Sequence, residues 1–236
     1  MIIKLRAIIL YFFCIIIFCV SGSIYLLSII LLGPHKSVWV RQIFCWLMIH
    51  STLNKLVVIS KPPDCSQTYL YLPNHQSMFD AFMMGLSINQ HITVVAKQEA
   101  FSIPLFGLII KMLGAVSINR KDHANSMAGI SLGAEKVKSG ISMVVFPEGT
   151  RTKDGQIGLF KKGAFKLAFD AQATIVPVGI IGSCDSQPWG NWIIKPGILK
   201  INYGRPIFYS EYKNFSITEL SDFVRNIVSE LSSSPK

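Results

Sequence analysis

Thr68-Tyr69-Leu70-Tyr71-Leu72-Pro73-Asn74-His75-Gln76-Ser77-Met78-Phe79-Asp80 decides how the chain is read. Its opening run is rich in aromatic and branched residues and reads as a strand. Pro73 and Asn74 punctuate it. Beyond them the stretch near 78–89 reads as helix. The same strand, polar turn and helix recur along the chain. Strands are expected at 56–60, 68–72, 92–96, 115–119, 141–146, 174–180 and Ile198–Tyr203, and helices near 78–89, 99–113, 123–139 and 161–171. Strands alternating with helices predict an α/β fold with a mixed, largely parallel sheet flanked by helices. The last helix has the plainest signature. Ser216 and Glu219 form a capping box, and Leu220, Phe223, Val224, Ile227, Val228 and Leu231 follow at helical spacing. The tail 232–236 is expected to be disordered.

His75 and Asp80 stand five apart at the end of the strand that opens the reading. On one continuous helix they would diverge by roughly 140° around the axis. They can meet only if His75 lies in the turn and Asp80 in the first helical turn. There the carboxylate can orient the imidazole, the side chain best suited to take a proton near neutral pH. Ser77 offers a hydroxyl but is too close in sequence for an easy triad, and its simpler role is to start the helix. The pair therefore reads as a base that activates a substrate hydroxyl.

Phe146-Pro147-Glu148-Gly149-Thr150-Arg151 follows the apolar strand 141–146. Gly149 permits a tight backbone with exposed amides, which together with Arg151 form a cradle for an anion. Glu148 can orient a second hydroxyl or pair with Arg151. Gly114-Ala115-Val116-Ser117-Ile118-Asn119-Arg120 delivers another cation at a strand end, and Lys97 holds the equivalent place after 92–96. Between Lys111 and Lys162 nine basic residues face four acidic ones, so that segment carries +5 of the chain's +10. Basic residues at strand ends favour one focused phosphate site over a nucleic-acid surface, which would want a basic stripe on a reading element. Ile175-Val176-Pro177-Val178-Gly179-Ile180 reads as core, with Pro177 at an edge or a bulge. Phe101, Ile103, Pro104, Leu105 and Phe106 form an apolar stretch suited to an entrance beside a membrane.

Composition limits the partners. Of 236 residues 50% are hydrophobic and only 15% charged, which excludes a disordered chain. Mean hydropathy is +0.43. Five cysteines with no paired spacing exclude a disulfide-stapled module and a Cys/His metal site, and fit a reducing compartment. Residues 7–32 are almost wholly apolar, broken only by Ser21, Gly22 and Ser23. A helix of that length spans about 39 Å, enough to cross a membrane with tilt. One span is the simplest outcome. A hairpin bent at Ser21-Gly22-Ser23 that dips into one leaflet fits the charges better, since Lys4 and Arg6 precede the run and Lys36 and Arg41 follow it. Val38–His50 reads either as an interfacial helix carrying Trp39 and Trp46 or as a core helix. Residues 1–50 are thus expected to be membrane-anchoring helices and 51–236 the α/β domain.

The four segments, in order, resemble the motifs of the glycerolipid acyltransferases, and most closely those of the bacterial 1-acyl-sn-glycerol-3-phosphate (lysophosphatidic acid) acyltransferases. The likeness runs roughly from 70 to 182. Phe160-Lys161-Lys162-Gly163-Ala164-Phe165 also resembles the family's segment there. The resemblance implies that His75 is the general base and Asp80 its orienting partner. It implies that Arg120 binds phosphate, and that Glu148, Gly149, Thr150 and Arg151 bind and position the phosphoglycerol; Lys97 joins the substrate-binding set by its place at a strand end. It implies an acyl chain passed from coenzyme A or acyl carrier protein to lysophosphatidic acid, with no metal, no other cofactor and no nucleic acid. Membrane lipids are the expected surroundings, at a bacterial inner membrane with the domain facing the cytoplasm. Another lysolipid or glycerol 3-phosphate as acceptor, or a non-catalytic lipid-binding protein, are the alternatives.

Overall fold

The computed structural model describes residues 2–119 and 122–233. Among these residues seven strands form one sheet: β1 (Lys55–Ser60), β2 (Tyr69–Pro73), β3 (Ile92–Lys97), β4 (Val116–Ile118), β5 (Ser142–Val144), β6 (Thr174–Ile181) and β7 (Ile198–Tyr203). Their order is β1-β7-β6-β2-β5-β3-β4. The β6–β7 pair is antiparallel and the other pairs are parallel. Nine α-helices accompany them among the described residues: α1 (Ile2–Leu32), α2 (Val38–His50), α3 (Phe79–Ser87), α4 (Phe106–Met112), α5 (His123–Lys138), α6 (Lys162–Ala171), α7 (Ser183–Ser186), α8 (Tyr209–Tyr212) and α9 (Ile217–Ser232).

Helices cover both faces of the sheet, which is why β2 and most of β6 are buried without interruption. Side chains alternate between two cores. Leu70, Leu72, Met143 and Ile175 meet Ile130, Phe165, Leu167, Leu220 and Val224 from α5, α6 and α9. Tyr71, Val144, Val176 and Ile201 point the other way, onto Met83, Met84 and Ile49 from α3 and α2. Leaving this sandwich of layers, the chain returns at the carboxyl end of β2 to the segment that opened the reading.

The expected helix 99–113 is two pieces. A 3-10 turn (Gln98–Ser102) precedes α4, and Pro104 with Leu105 at φ +61° separates them. Gly107 fits because a methyl there would lie 2.1 Å from the Phe101 carbonyl oxygen. Pro177 is not on an edge strand. β6 lies inside the sheet, and between Val178↔Tyr203 and the bridge Ile175↔Ile207 the partner chain holds one residue more, so the missing N–H falls at a bulge. Ser232 ends α9 rather than opening a tail, and 234–236 lie outside the described residues.

α1 runs unbroken through Ser21-Gly22-Ser23, as one continuous helix requires, and the bend of the alternative hairpin is absent. The small residues serve packing instead. Ser21 Oγ donates to the Ile17 carbonyl, and a methyl at Gly22 would press within 3.0 Å of Leu105 Cδ2. The turn of the chain comes later, at 33–37. Ala7, Leu10, Cys14, Ser21, Tyr25 and Ile29 are buried, so one face of α1 rests on the protein along nearly its whole length, while Ile8, Phe12, Ile15, Val20, Ile24 and Leu27 face outward. α2 has one buried and one exposed face. Val40, Phe44, Cys45 and Ile49 are packed inside, and Trp39, Ile43 and Trp46 are exposed on the opposite side.

Arg41 of α2 is a buried cation with no carboxylate partner among the described ion pairs. Its guanidinium donates to the carbonyls of Gly85 (3.0 Å), Ile88 (2.5 Å) and Gln90 (3.0 Å), at the end of α3 where unpaired carbonyls accumulate. Arg41→Ala is expected to cost about 3 kcal/mol, because it strands buried acceptors. The urea midpoint measures this. Arg41→Lys is expected to recover only part, since one ammonium cannot reproduce the guanidinium's planar fork.

Candidate active site

The β2–β5 register builds the site. Leu70 pairs with Met143 and Tyr71 with Val144, and the same offset carried past the strand ends sets His75 opposite Glu148. The backbone N–H of His75 donates to Glu148 Oε1 at 2.7 Å. Glu148 Oε2 accepts from the Gly158 amide at 2.9 Å. On the other side, Asn74 joins the loop to β6: its Nδ2 donates to the Ile180 carbonyl at 3.0 Å, and its Oδ1 accepts from the Ile180 amide at 2.7 Å. The loop holding His75 is thus bolted to both neighbouring strands. The Thr152 amide adds a bond to the His75 carbonyl at 2.9 Å.

His75 and Asp80 meet. His75 Nδ1 lies 2.8 Å from Asp80 Oδ2, with the imidazole one-fifth exposed and the carboxylate fully buried. The same Oδ2 accepts the amides of Gln76 (2.6 Å) and Ser77 (2.8 Å). Asp80 occupies the first turn of α3, where a carboxylate also suits the helix dipole. With Nδ1 carrying the proton toward Asp80, Nε2 keeps its lone pair for a substrate hydroxyl. Phe146 stacks on the imidazole at a centroid distance of 4.1 Å and restricts its rotation. Ser77 is fully buried, with Oγ facing the Phe79 amide at 3.5 Å. It lies just before Met78, the N-cap of α3, which has no side-chain cap bond, and its burial closes it to a substrate.

Glu148 does not pair with Arg151 among the described ion pairs; main-chain amides occupy both its oxygens. Burial pushes its carboxyl above the ordinary range, against the lowering pull of those amides and of His75. Gly149, at φ +69°, closes a turn through its amide to the Phe146 carbonyl at 3.0 Å. Thr150 is exposed and Arg151 half-buried at its mouth. Lys97 ends β3 on the same rim and forms an exposed ion pair with Glu99 at 2.8 Å. Arg120 lies outside the described residues.

Lys161 carried no assigned role in the sequence reading, yet it belongs here. A methyl at Gly149 would sit 3.0 Å from Lys161 Cδ, Cε and Nζ, so the lysine lies across the glycine turn. Its amide donates to the Pro147 carbonyl at 2.8 Å. Its position is the signal that could have marked it: it precedes α6 directly, where the helix dipole disfavours a cation unless an anion comes between. Neither Arg151 nor Lys161 has a carboxylate partner among the described ion pairs. A base with a free nitrogen thus adjoins a turn with two uncommitted cations.

A sequence profile of the family described as Acyltransferase matches residues 46–181. The chain is 34% identical over 169 residues to the chloroplast 1-acyl-sn-glycerol-3-phosphate acyltransferase of Brassica napus, covering 71% of this chain and 47% of that protein. It is 28% identical over 212 residues to a probable 1-acyl-sn-glycerol-3-phosphate acyltransferase of Mycoplasma genitalium, covering 83% and 76%. The chain spans about half the length of the plant relatives it matches. The crystal structure of the 1-acyl-sn-glycerophosphate acyltransferase of Thermotoga maritima shares the fold, with a TM-score of 0.85, 24% identity and 99% of each chain covered.

Proposed function

The chain belongs to the acyltransferase family, and from that premise we propose that it moves a fatty acyl chain from an acyl thioester to the sn-2 hydroxyl of lysophosphatidic acid, giving phosphatidic acid. The observation that carries this reading is the 2.8 Å contact of His75 Nδ1 with a buried carboxylate, which keeps the Nε2 lone pair for the acceptor hydroxyl. His75 takes the proton of the acceptor hydroxyl as the oxygen attacks the thioester carbonyl. Asp80 balances the imidazolium that forms. The tetrahedral adduct collapses, the C–S bond breaks, and the imidazolium returns its proton to the departing thiolate. The thioester brings its own activation, so the reaction calls for no metal.

Arg151 and Lys161 are proposed to hold the acceptor's phosphate and so set its hydroxyl against His75. Lys97 and Arg120 are proposed as further phosphate ligands, and Gly149 and Thr150 as contacts to the phosphoglycerol. Glu148 serves the same acceptor indirectly, by fixing the His75 loop. A coenzyme A or acyl carrier protein thioester is the proposed donor. α1 lies along the domain with its outer face apolar, which supports a helix sunk in one leaflet and a site at the bilayer face. The proposed setting is a bacterial inner membrane, with the domain in the cytoplasm where free cysteines remain reduced.

Thiol release from acyl-CoA, dependent on added lysophosphatidic acid, tests the reaction; release that ignores the acceptor overturns it. Arg151→Ala is expected to raise KM for lysophosphatidic acid roughly 10- to 100-fold, as for loss of a charged hydrogen bond. KM for the donor is expected to stay within about twofold. An equal rise in both removes the phosphate role.

A further inference from the structure

Residues 187–197, between α7 and β7, take no part in the chemistry above, yet their structure is specific. The base of the loop is anchored. Lys195 N donates to the Ser186 carbonyl at 2.8 Å, Ile194 is buried, and Gln187 Nε2 donates to the Tyr11 hydroxyl of α1 at 2.9 Å. The tip is not. Trp189-Gly190-Asn191-Trp192 is exposed throughout. The Asn191 amide closes a turn on the Pro188 carbonyl at 3.1 Å, and Gly190 at φ +74° has open space around it. The two tryptophans are 45% and 46% exposed, an unusual use of the largest apolar side chain at the end of a firmly held loop.

Each tryptophan leads to a different part of the molecule. Trp192 lines an apolar groove of about 500 Å³ with Ile8, Tyr11, Phe12 and Ile15 of α1. Ile8, Phe12 and Ile15 belong to the outward face of α1, so Trp192 extends that apolar face onto the α/β domain. Trp189 lies under Lys153, with Nζ 5.2 Å from the ring centroid, two residues beyond Arg151. The loop therefore reaches from the phosphate rim to the membrane helix.

We propose that this tip is a second membrane contact, seated in the same leaflet as α1. Trp192 and the groove beside it receive lipid hydrocarbon, and Lys153 and Lys195 meet anionic headgroups. Three observations select a lipid surface as the occupant: continuity with the exposed apolar face of α1, the residue type favoured at the boundary between headgroups and chains, and flanking cations in a chain of net charge +10. The contact fixes the tilt of the domain, so that the rim carrying His75 and Arg151 opens toward lipid. This inference rests on the membrane association proposed above and adds a second point of attachment to it.

The chain has four tryptophans, Trp39, Trp46, Trp189 and Trp192, which makes the test direct. Variants of the full chain that keep one tryptophan each, the others replaced by Phe, are mixed with vesicles of phosphatidylcholine and phosphatidylglycerol brominated on the upper acyl carbons. Emission from the Trp189-only and Trp192-only proteins is expected to be quenched along with that from Trp39 and Trp46. In the otherwise native chain, W189S/W192S is expected to weaken vesicle binding about tenfold, as for loss of two interfacial aromatic contacts. Quenching of Trp39 and Trp46 but not of Trp189 and Trp192 overturns the loop contact and leaves the membrane reading standing. Quenching of none overturns both.

Discussion

His75→Ala is expected to reduce acyl transfer about 10²- to 10⁴-fold, the usual contribution of a positioned general base. The imidazole is only one-fifth exposed, but its removal leaves no buried partner unpaired that did not already have other bonds. Asp80 Oδ2 keeps the amides of Gln76 and Ser77, and the His75 backbone keeps its bonds to Glu148 and Thr152. Fold and membrane binding are therefore expected to survive, and a thermal melt and vesicle co-sedimentation check them. The loss is expected in kcat, with KM for both substrates little changed, because the base acts on the transition state rather than on binding. Turnover within tenfold of the parent, in folded protein, removes His75 from the chemistry.

The layered sheet was legible because its strands are buried on both faces and therefore written in branched and aromatic residues. Each of the seven expected strands is present, with ends displaced by at most two residues. The dyad was legible for a narrower reason: a spacing of five is useless on one helix, so the sequence itself demanded a turn followed by a helical start. What stayed hidden depends on partners far along the chain. Glu148 looked like a ligand, and its engagement by the His75 and Gly158 amides follows from strand register, which no local pattern encodes. Lys161 touches the site only because α6 begins against the Gly149 turn. Ser21-Gly22-Ser23 signalled a bend by composition, whereas the small residues admit Leu105 of the neighbouring segment. Pro177 signalled an edge or a bulge, and only the pairing across to residues 203–207 decides for the bulge, inside the sheet.

These hidden contacts share a consequence. Those that hold the His75 loop are made by backbone groups and buried side chains, while Arg151 and Lys161, proposed to meet the substrate, have no carboxylate partner among the described ion pairs. A site so divided keeps its base rigid and its cradle adjustable, which suits an acceptor whose headgroup is constant and whose position in a bilayer is not.

Asp80→Asn separates orientation from charge. Three donors converge on Oδ2: His75 Nδ1, and the amides of Gln76 and Ser77. An asparagine must therefore turn its carbonyl oxygen toward them and its NH₂ toward the place of Oδ1, which has no hydrogen-bond partner among the described residues. The tautomer that leaves Nε2 unprotonated is preserved, and the imidazole stays where it is. Only the negative charge that balances the imidazolium is lost. The expected result is a fall in kcat of roughly 10²- to 10³-fold with KM nearly constant, the scale seen when one preorganised electrostatic contact to a transition state is removed. Asp80→Ala, which also removes the acceptor of both amides, is expected to lose stability as well, so its melting temperature falls where that of Asp80→Asn holds. If Asp80→Asn keeps kcat within about twofold, the carboxylate is a scaffold for the turn and its charge takes no part in moving the proton.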